Sequence, residues 1–253
     1  MYDFQKANMW KRISAALCDF ILLGVVIVGI ALLLSTVLGY DSYYDELQTS
    51  YEKYEEAYGV SFDATATEIS EMSAEERANF DKASKALSDD SDVQYVLAML
   101  LNLTLIIISF SVLIAYLLLE FLVPLLFRNG QTLGKKVFGV GVMREDGVRL
   151  SALQLFARTV LGKYTLETML PILIVIMVLF GVMGILGSAL VLVLLIVQIA
   201  MFAATKTNSV IHDKLARTVT VDIASQLIFD SPEELLEYKK RIHDEKVQNS
   251  SEY

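Results

Sequence analysis

The stretch from Ile13 to Leu38, ISAALCDFILLGVVIVGIALLLSTVL, decides the architecture: 26 residues, of which Asp19 alone is charged. As a helix it would extend ~39 Å, more than the ~30 Å of hydrocarbon in a bilayer. It reads as a membrane span. Lys11 and Arg12 stand at its head, and Asp19 follows Arg12 by two helical turns, on the same face. A carboxylate at that depth requires a partner, a cavity or a proton. A secretory leader also has a basic head and an apolar body, but its apolar part is ~7–15 residues long with a small-residue cleavage site, so this run reads as an uncleaved anchor.

Composition agrees. Hydrophobic residues make up 55% of the 253, and the mean hydropathy is +0.50, too apolar for a small soluble domain. The net charge of −9 is unevenly spread, so local counts matter more than the total. Cys18 is the single cysteine, which rules out an intrachain disulfide.

Working outward, residues 1–39 hold the N-terminus and span 1, and residues 40–92 change character abruptly, with 15 Asp and Glu against 4 Lys and Arg. Tyr44, Leu47, Tyr51, Tyr54 and Tyr58 recur at helical spacing, and a second phase runs through Phe80, Ala83 and Leu87, with Ser73 to Glu76 fitting a capping box. The expectation is an acidic extracytoplasmic helical hairpin, turning near Gly59, Asp63 and Thr65. Residues 93–127 form span 2, which contains Asn102, Thr104 and Glu120. That acid, close to Arg128, reads equally as a snorkelled carboxylate or as a buried functional one.

Residues 128–163 are basic, with seven Lys and Arg against Glu145 and Asp146. Val140 to Val142 and Val148 to Leu150 flank an Asp-Gly pair, which predicts a cytoplasmic β-hairpin. Ser151 would cap an amphipathic interfacial helix with Leu153, Phe156, Ala157, Val160 and Leu161 on its apolar face. Residues 164–204 are long enough for a transmembrane hairpin, spans 3 and 4, reversing at Gly181, Gly184 and Gly187. Basic residues on both flanks, including Lys206, Lys214 and Arg217, demand an even number of crossings. Residues 205–253 form a cytoplasmic tail with one helix announced by Ser231 and Pro232. The inside segments then carry 17 Lys and Arg and the outside loop 4, placing both termini in the cytoplasm of a multi-pass cell-membrane protein. The fold class is an all-α four-span transmembrane helical bundle.

Gly130-Gln-Thr-Leu-Gly134-Lys135-Lys136 does not satisfy the phosphate-loop pattern, which needs four residues between its glycines and Ser or Thr after the lysine. Together with Arg12, Asp19, Glu145-Asp-Gly147, Arg158 and His212-Asp213-Lys-Leu-Ala-Arg-Thr218, these residues instead resemble the RDD family of prokaryotic membrane proteins, named for one arginine and two aspartates. The resemblance runs from Met9 to Asp222 apart from the acidic loop. It implies that Arg12 is the family arginine, Asp19 the first aspartate and Asp213 the second, and it implies a role in transport. Arg217 stands where the closing motif usually has glycine.

Candidate functional residues are therefore Arg12, Asp19, Asp213, Glu120, Gly130, Gly134, Lys135 and Arg158. One reading is transport of a small cation or solute, proton-coupled at Asp19, with Asn102 and Gln198 as further polar groups inside spans. A four-span bundle is small, so this favours a homo-oligomer packed through Gly24, Gly29, Gly184 and Ser188. The alternative is a non-transporting accessory or regulatory protein that binds protein partners through its acidic hairpin or its cytoplasmic face. Against a coupling role for Asp19 stands an architectural one, in which it pairs with Arg12 or with an inner basic residue as a fixed clamp. An enzyme is not expected, since the two histidines, His212 and His243, lie in no catalytic motif. Nor are a cofactor, a metal site or a nucleic-acid partner.

Overall fold

The computed structural model describes residues 7–127, 129–205 and 207–251, with the side chains of 249–251 excepted. Arg128 and Lys206, two of the flanking positive charges, lie outside the described residues. In chain order the elements are α1 (Met9–Val37), α2 (Tyr40–Tyr58), α3 (Ala66–Glu71), α4 (Ala74–Asp89) and α5 (Ser91–Tyr116). The chain continues through π1 (Leu117–Leu122), α6 (Val123–Phe127), α7 (Leu133–Val137), β1 (Val140–Arg144), α8 (Ala152–Phe156), π2 (Ala157–Met169) and α9 (Leu170–Leu179). It ends with α10 (Gly184–Ala204), α11 (Ile211–Leu215), β2 (Thr218–Asp222) and α12 (Pro232–Ser251).

Four helices among the described residues are long and apolar enough to cross a membrane: Met9–Val37, Ser91–Phe127, Ala152–Leu179 and Gly184–Ala204. The second and third are each continuous through a π-helical stretch, π1 and π2, where the wider turn rotates the face that follows. Span 3 corrects the sequence reading. No proline or glycine cap stops the helix after Phe156, so the segment expected to lie in the interface is the first part of the span itself. Its start is as read: the Ser151 hydroxyl accepts from Gln154 N at 3.2 Å in a capping box. The reversal after α9 is also where the glycines placed it, with Gly181 at φ 73° and Gly184 at φ 49°.

Two compact units divide the chain, Val28–Ser111 and Met1–Ile27 with Val112–Tyr253. In the first, Leu47, Leu87, Val93, Val96 and Leu100 form the core, edged by Tyr40, Tyr43, Tyr51, Tyr54 and Phe62. Ser73 and Glu76 form the expected capping box, and Gly59 closes α2 in the left-handed conformation at φ 62°. The connection is more than a turn: Thr65 and Glu68 make a second capping box at the start of α3, a helix the periodicity did not show.

In the second unit β1 pairs antiparallel with β2, Val140 opposite Asp222 and Arg144 opposite Thr218. The expected partner, Val148 to Leu150, is not its strand. The Asp-Gly turn does form, with Gly147 N donating to Arg144 O at 3.0 Å, but Val148 then bridges to Phe229. The apolar faces decide this: Met143, Val219 and Val221 bury one another beneath Ile228, while Val148 packs with Phe229, Leu235 and Tyr238. The ribbon thereby joins α7, which precedes β1, to α11, which precedes β2.

Candidate functional site

Asp19 reaches from α1 to the start of α7. The Thr132 hydroxyl donates to Asp19 Oδ2, and Gly134 N donates to Oδ1 at 2.7 Å. Thr132 is also the N-cap of α7, its oxygen accepting from Lys135 N at 3.3 Å. A carboxylate beside the free N–H groups of a helix start is well placed electrostatically. The approach depends on Gly134, since a Cβ there would stand 2.9 Å from both Asp19 Cγ and Oδ1 and would overlap Ala15 O. Asp19 is thus paired neither with Arg12 nor with a basic side chain; its partners are a hydroxyl and a backbone amide.

Arg12 turns elsewhere. It donates to Thr207 O at 2.8 Å, lies 3.6 Å from Asp213 Oδ2, and rests over the Phe202 ring at 5.3 Å. Asp213 receives a second guanidinium, with Arg158 Nη2 at 2.8 Å and Nε at 3.2 Å from Oδ1. Burial alone would raise the Asp213 carboxyl, but Arg158 and Arg12 outweigh it and hold it well below the usual carboxylate range. The α1 arginine, the α1 aspartate and the α11 aspartate are therefore the three points at which span 1 and span 3 are tied to the two short helices α7 and α11. A model of the RDD family matches residues 6–217.

The chain belongs to the RDD family.

No curated protein and no solved structure matches it. In this RDD protein Arg12, Asp19 and Asp213 form one wall of a larger polar set. Glu120, buried within π1, pairs with Lys163 Nζ of π2 at 2.5 Å, and its carbonyl accepts from Thr159 at 2.9 Å. Glu120 is accordingly interior and not snorkelled. Glu167 accepts from His212 N at 2.9 Å and stands 2.7 Å from His212 Nδ1. Burial, with Arg158 near, holds His212 below the ordinary histidine value against the opposing pull of Asp213 and Glu167. Gly162 lets α11 sit this close: a Cβ there would meet His212 Cα at 2.8 Å.

These groups surround a cavity of about 620 Å³. Arg12, Asp19, Glu120, Lys135, Arg158 and Asp213 line it, as do Lys163, Glu167 and His212, while Phe20, Leu23, Ile199 and Phe202 supply an apolar wall. Such a volume suits an organic ligand. Arg12, Arg158, Lys163, Asp213, Glu120 and Glu167 all sit in close pairs or triads. Lys135 does not: its ammonium has the Thr132 hydroxyl at 3.3 Å, and it joins none of the ion pairs of the wall. Burial, with Lys163 and Arg158 close, pushes Lys135 down to about 7 against the opposing pull of Glu120 and Asp19.

Six of the eight candidate residues meet at this cavity, and Gly134 seats one of them. Gly130 serves the fold instead, at φ 61°, where a Cβ would meet Val142 O at 2.9 Å. Of the polar span residues, Gln198 lines the cavity, whereas Asn102 is exposed and belongs to the other unit. Sequence reasoning missed Thr132, Lys163 and Glu167 as site residues. Thr132 lay inside the quoted glycine motif. Lys163 was counted only with the basic segment that precedes span 3, and Glu167, within the residues assigned to that span, was not singled out. Among the described residues no group of three or more His, Cys, Asp or Glu side chains could hold a metal ion.

Proposed function

We propose that this RDD protein is a cell-membrane transporter for a small solute, coupled to protons, with the 620 Å³ cavity as its substrate chamber. The observation that carries the reading is Lys135, a cavity-lining ammonium outside every ion pair of the wall and poised to exchange a proton near neutral pH. Asp19 then acts as the positioning residue, since it fixes the start of the helix that bears Lys135. The chamber lies within a single copy, so a homo-oligomer is not needed to build it. Both termini are assigned to the cytoplasm because, even without Arg158 and Lys163 of span 3, 15 Lys and Arg fall on the inner side against 4 in residues 40–92.

Proton flux into liposomes, driven by imposed sodium, potassium or solute gradients, tests the reading. Wild-type protein should carry flux, Lys135→Gln should abolish its proton component, and Asp19→Asn should reduce it. Absence of flux from correctly inserted wild-type protein under every gradient would refute transport.

The accessory reading draws on a different observation. Asp213, Glu120 and Asp19 each have their partners already, as a purely architectural clamp would require. On that reading the chain presents residues 40–92 to a protein partner, and replacing them by a short loop removes binding while leaving any flux intact.

A further inference from the structure

The two walls of the cavity differ. One carries the charged set and the other is apolar, and the apolar wall does not close: Phe20 of α1 and Ile199 of α10 line the cavity yet are 71% and 68% exposed. Both belong to spans, so that exposure faces hydrocarbon. The cavity therefore runs from a polar interior to a lateral opening between α1 and α10. On the polar side the charges are nearly all consumed in pairs. Two residues stand outside them, and they are unequal. Asp19 has two short hydrogen bonds, whereas Lys135 has one long contact to a hydroxyl that already donates to Asp19.

We infer that the cavity binds an amphipathic acid, its single anionic head on Lys135 and its apolar body along Phe20, Leu23, Ile199 and Phe202 toward the opening. The inference rests on the transport reading in naming that chamber's ligand class. A cationic ligand would meet Lys135, Lys163, Arg158 and Arg12 with no carboxylate left unsatisfied. A wholly polar solute would leave the apolar wall wet, and a neutral hydrocarbon would leave the ammonium bare. An anion supplies the missing counter-charge. The groups that face Lys135 are Asp19 and Thr132 from below the helix start, Glu120 from π1, and Lys163 and Arg158 from π2. Because binding favours the protonated lysine, the acid and a proton enter together. The head could come from a free amphipathic acid or from an anionic lipid, and the chemistry is the same for both.

The probe is radiolabelled decanesulfonate, whose head stays ionised throughout, titrated onto the full-length protein in phosphatidylcholine nanodiscs with empty discs subtracted. Wild-type affinity should fall about tenfold between about pH 6 and about pH 8.5 as Lys135 loses its proton. Lys135→Gln should bind about tenfold more weakly at the lower pH and show no pH dependence. Lys135→Arg, which keeps a permanent charge, should hold its affinity at both values and so guard against misfolding as the cause of loss. Decanol and methanesulfonate, a body without a head and a head without a body, should not compete. Competition by phosphatidylglycerol added to the disc would assign the site to a bilayer lipid, and competition only by soluble acids would assign it to a free one; either supports the site. Binding unchanged in Lys135→Gln, a wild-type pH slope in Lys135→Arg, or equal competition by decanol or methanesulfonate would overturn it. Binding without flux would retain this site and remove transport, whereas cation flux without binding would do the reverse.

Discussion

In Val28–Ser111 the carboxylates work from the surface. Glu68 and Glu76 close capping boxes at exposed helix starts, Asp90 accepts from Tyr54 at 2.8 Å, and the interior is left to Leu47, Leu87, Val93, Val96 and Leu100. In the other unit the carboxylates are the interior: Asp213 and Glu120 are buried among guanidinium and ammonium groups where a soluble domain would place aliphatic side chains. Each unit is therefore vulnerable in its own way. A hydrophobic core weakens in proportion to the volume removed, whereas a buried ion set fails when one member is lost, because the remaining charges are left without a counter-charge.

The largest expected effect follows directly. Asp213→Ala leaves both Arg158 and Arg12 unpaired at a side-chain exposure of 3% and 9%, and should cost about 3–5 kcal/mol. Thermal unfolding in detergent should show the loss of the cooperative transition of that unit. Asp213→Asn, which keeps the shape, should fare little better. Glu76→Gln, in the exposed box of α4, should leave the same transition in place. Acid titration should separate the units by the same logic. The lowered carboxyl of Asp213 contributes stability at pH values above the ordinary carboxylate value, and that contribution is lost as pH falls through its depressed value.

Next comes Leu47→Ala, which removes the centre of the aliphatic and tyrosine core and should cost about 2–4 kcal/mol in Val28–Ser111. Flux through the chamber should be unchanged, since every residue of its wall belongs to the other unit. Equal loss of flux and of helicity would show that the two units are not separable in this way. Gly134→Ala should cost about 1–3 kcal/mol by forcing α7 away from Asp19 and Ala15. Combined with Asp19→Asn, the second change should add little, because both break the same contact. Full additivity of the two would show that Gly134 does not act through Asp19.

Much of this was legible because it is local. The spans announce themselves by length and apolarity, Ser73, Ser151 and Ser231 mark helix starts by spacing alone, and Gly181 and Gly184 mark the reversal. The β1–β2 ribbon was not, since two Val-rich strands separated by two spans carry no signal of their pairing, whereas Val148 lies invitingly close to β1. Span 3 was misread for a related reason. Arg158, Lys163 and Glu167 lower its apparent apolarity, and only the packed structure shows that they turn inward to Asp213, Glu120 and His212. The site residues Arg12, Asp19 and Asp213 were identified, but their partners were not: helical spacing put Arg12 beside Asp19, while tertiary contacts gave each a different partner.

The smallest expected effect concerns Arg217, which closes α11. Arg217 adopts φ 53°, the left-handed region that favours glycine, and its side chain is exposed. Its backbone is needed, since Arg217 N donates to Lys214 O at 3.2 Å and its carbonyl accepts from Glu145 N at 3.2 Å, closing α11 against the turn after β1. Arg217→Gly keeps both hydrogen bonds and removes the Cβ penalty of that conformation, at the expense of a more flexible unfolded chain. The penalty is the larger of the two, so the substitution should stabilise by about 0.5–1 kcal/mol, read as a small rise in unfolding temperature with flux unchanged. Arg217→Ala retains the Cβ and should give no such gain. A matching gain from alanine would trace the effect to the charge and not to the backbone.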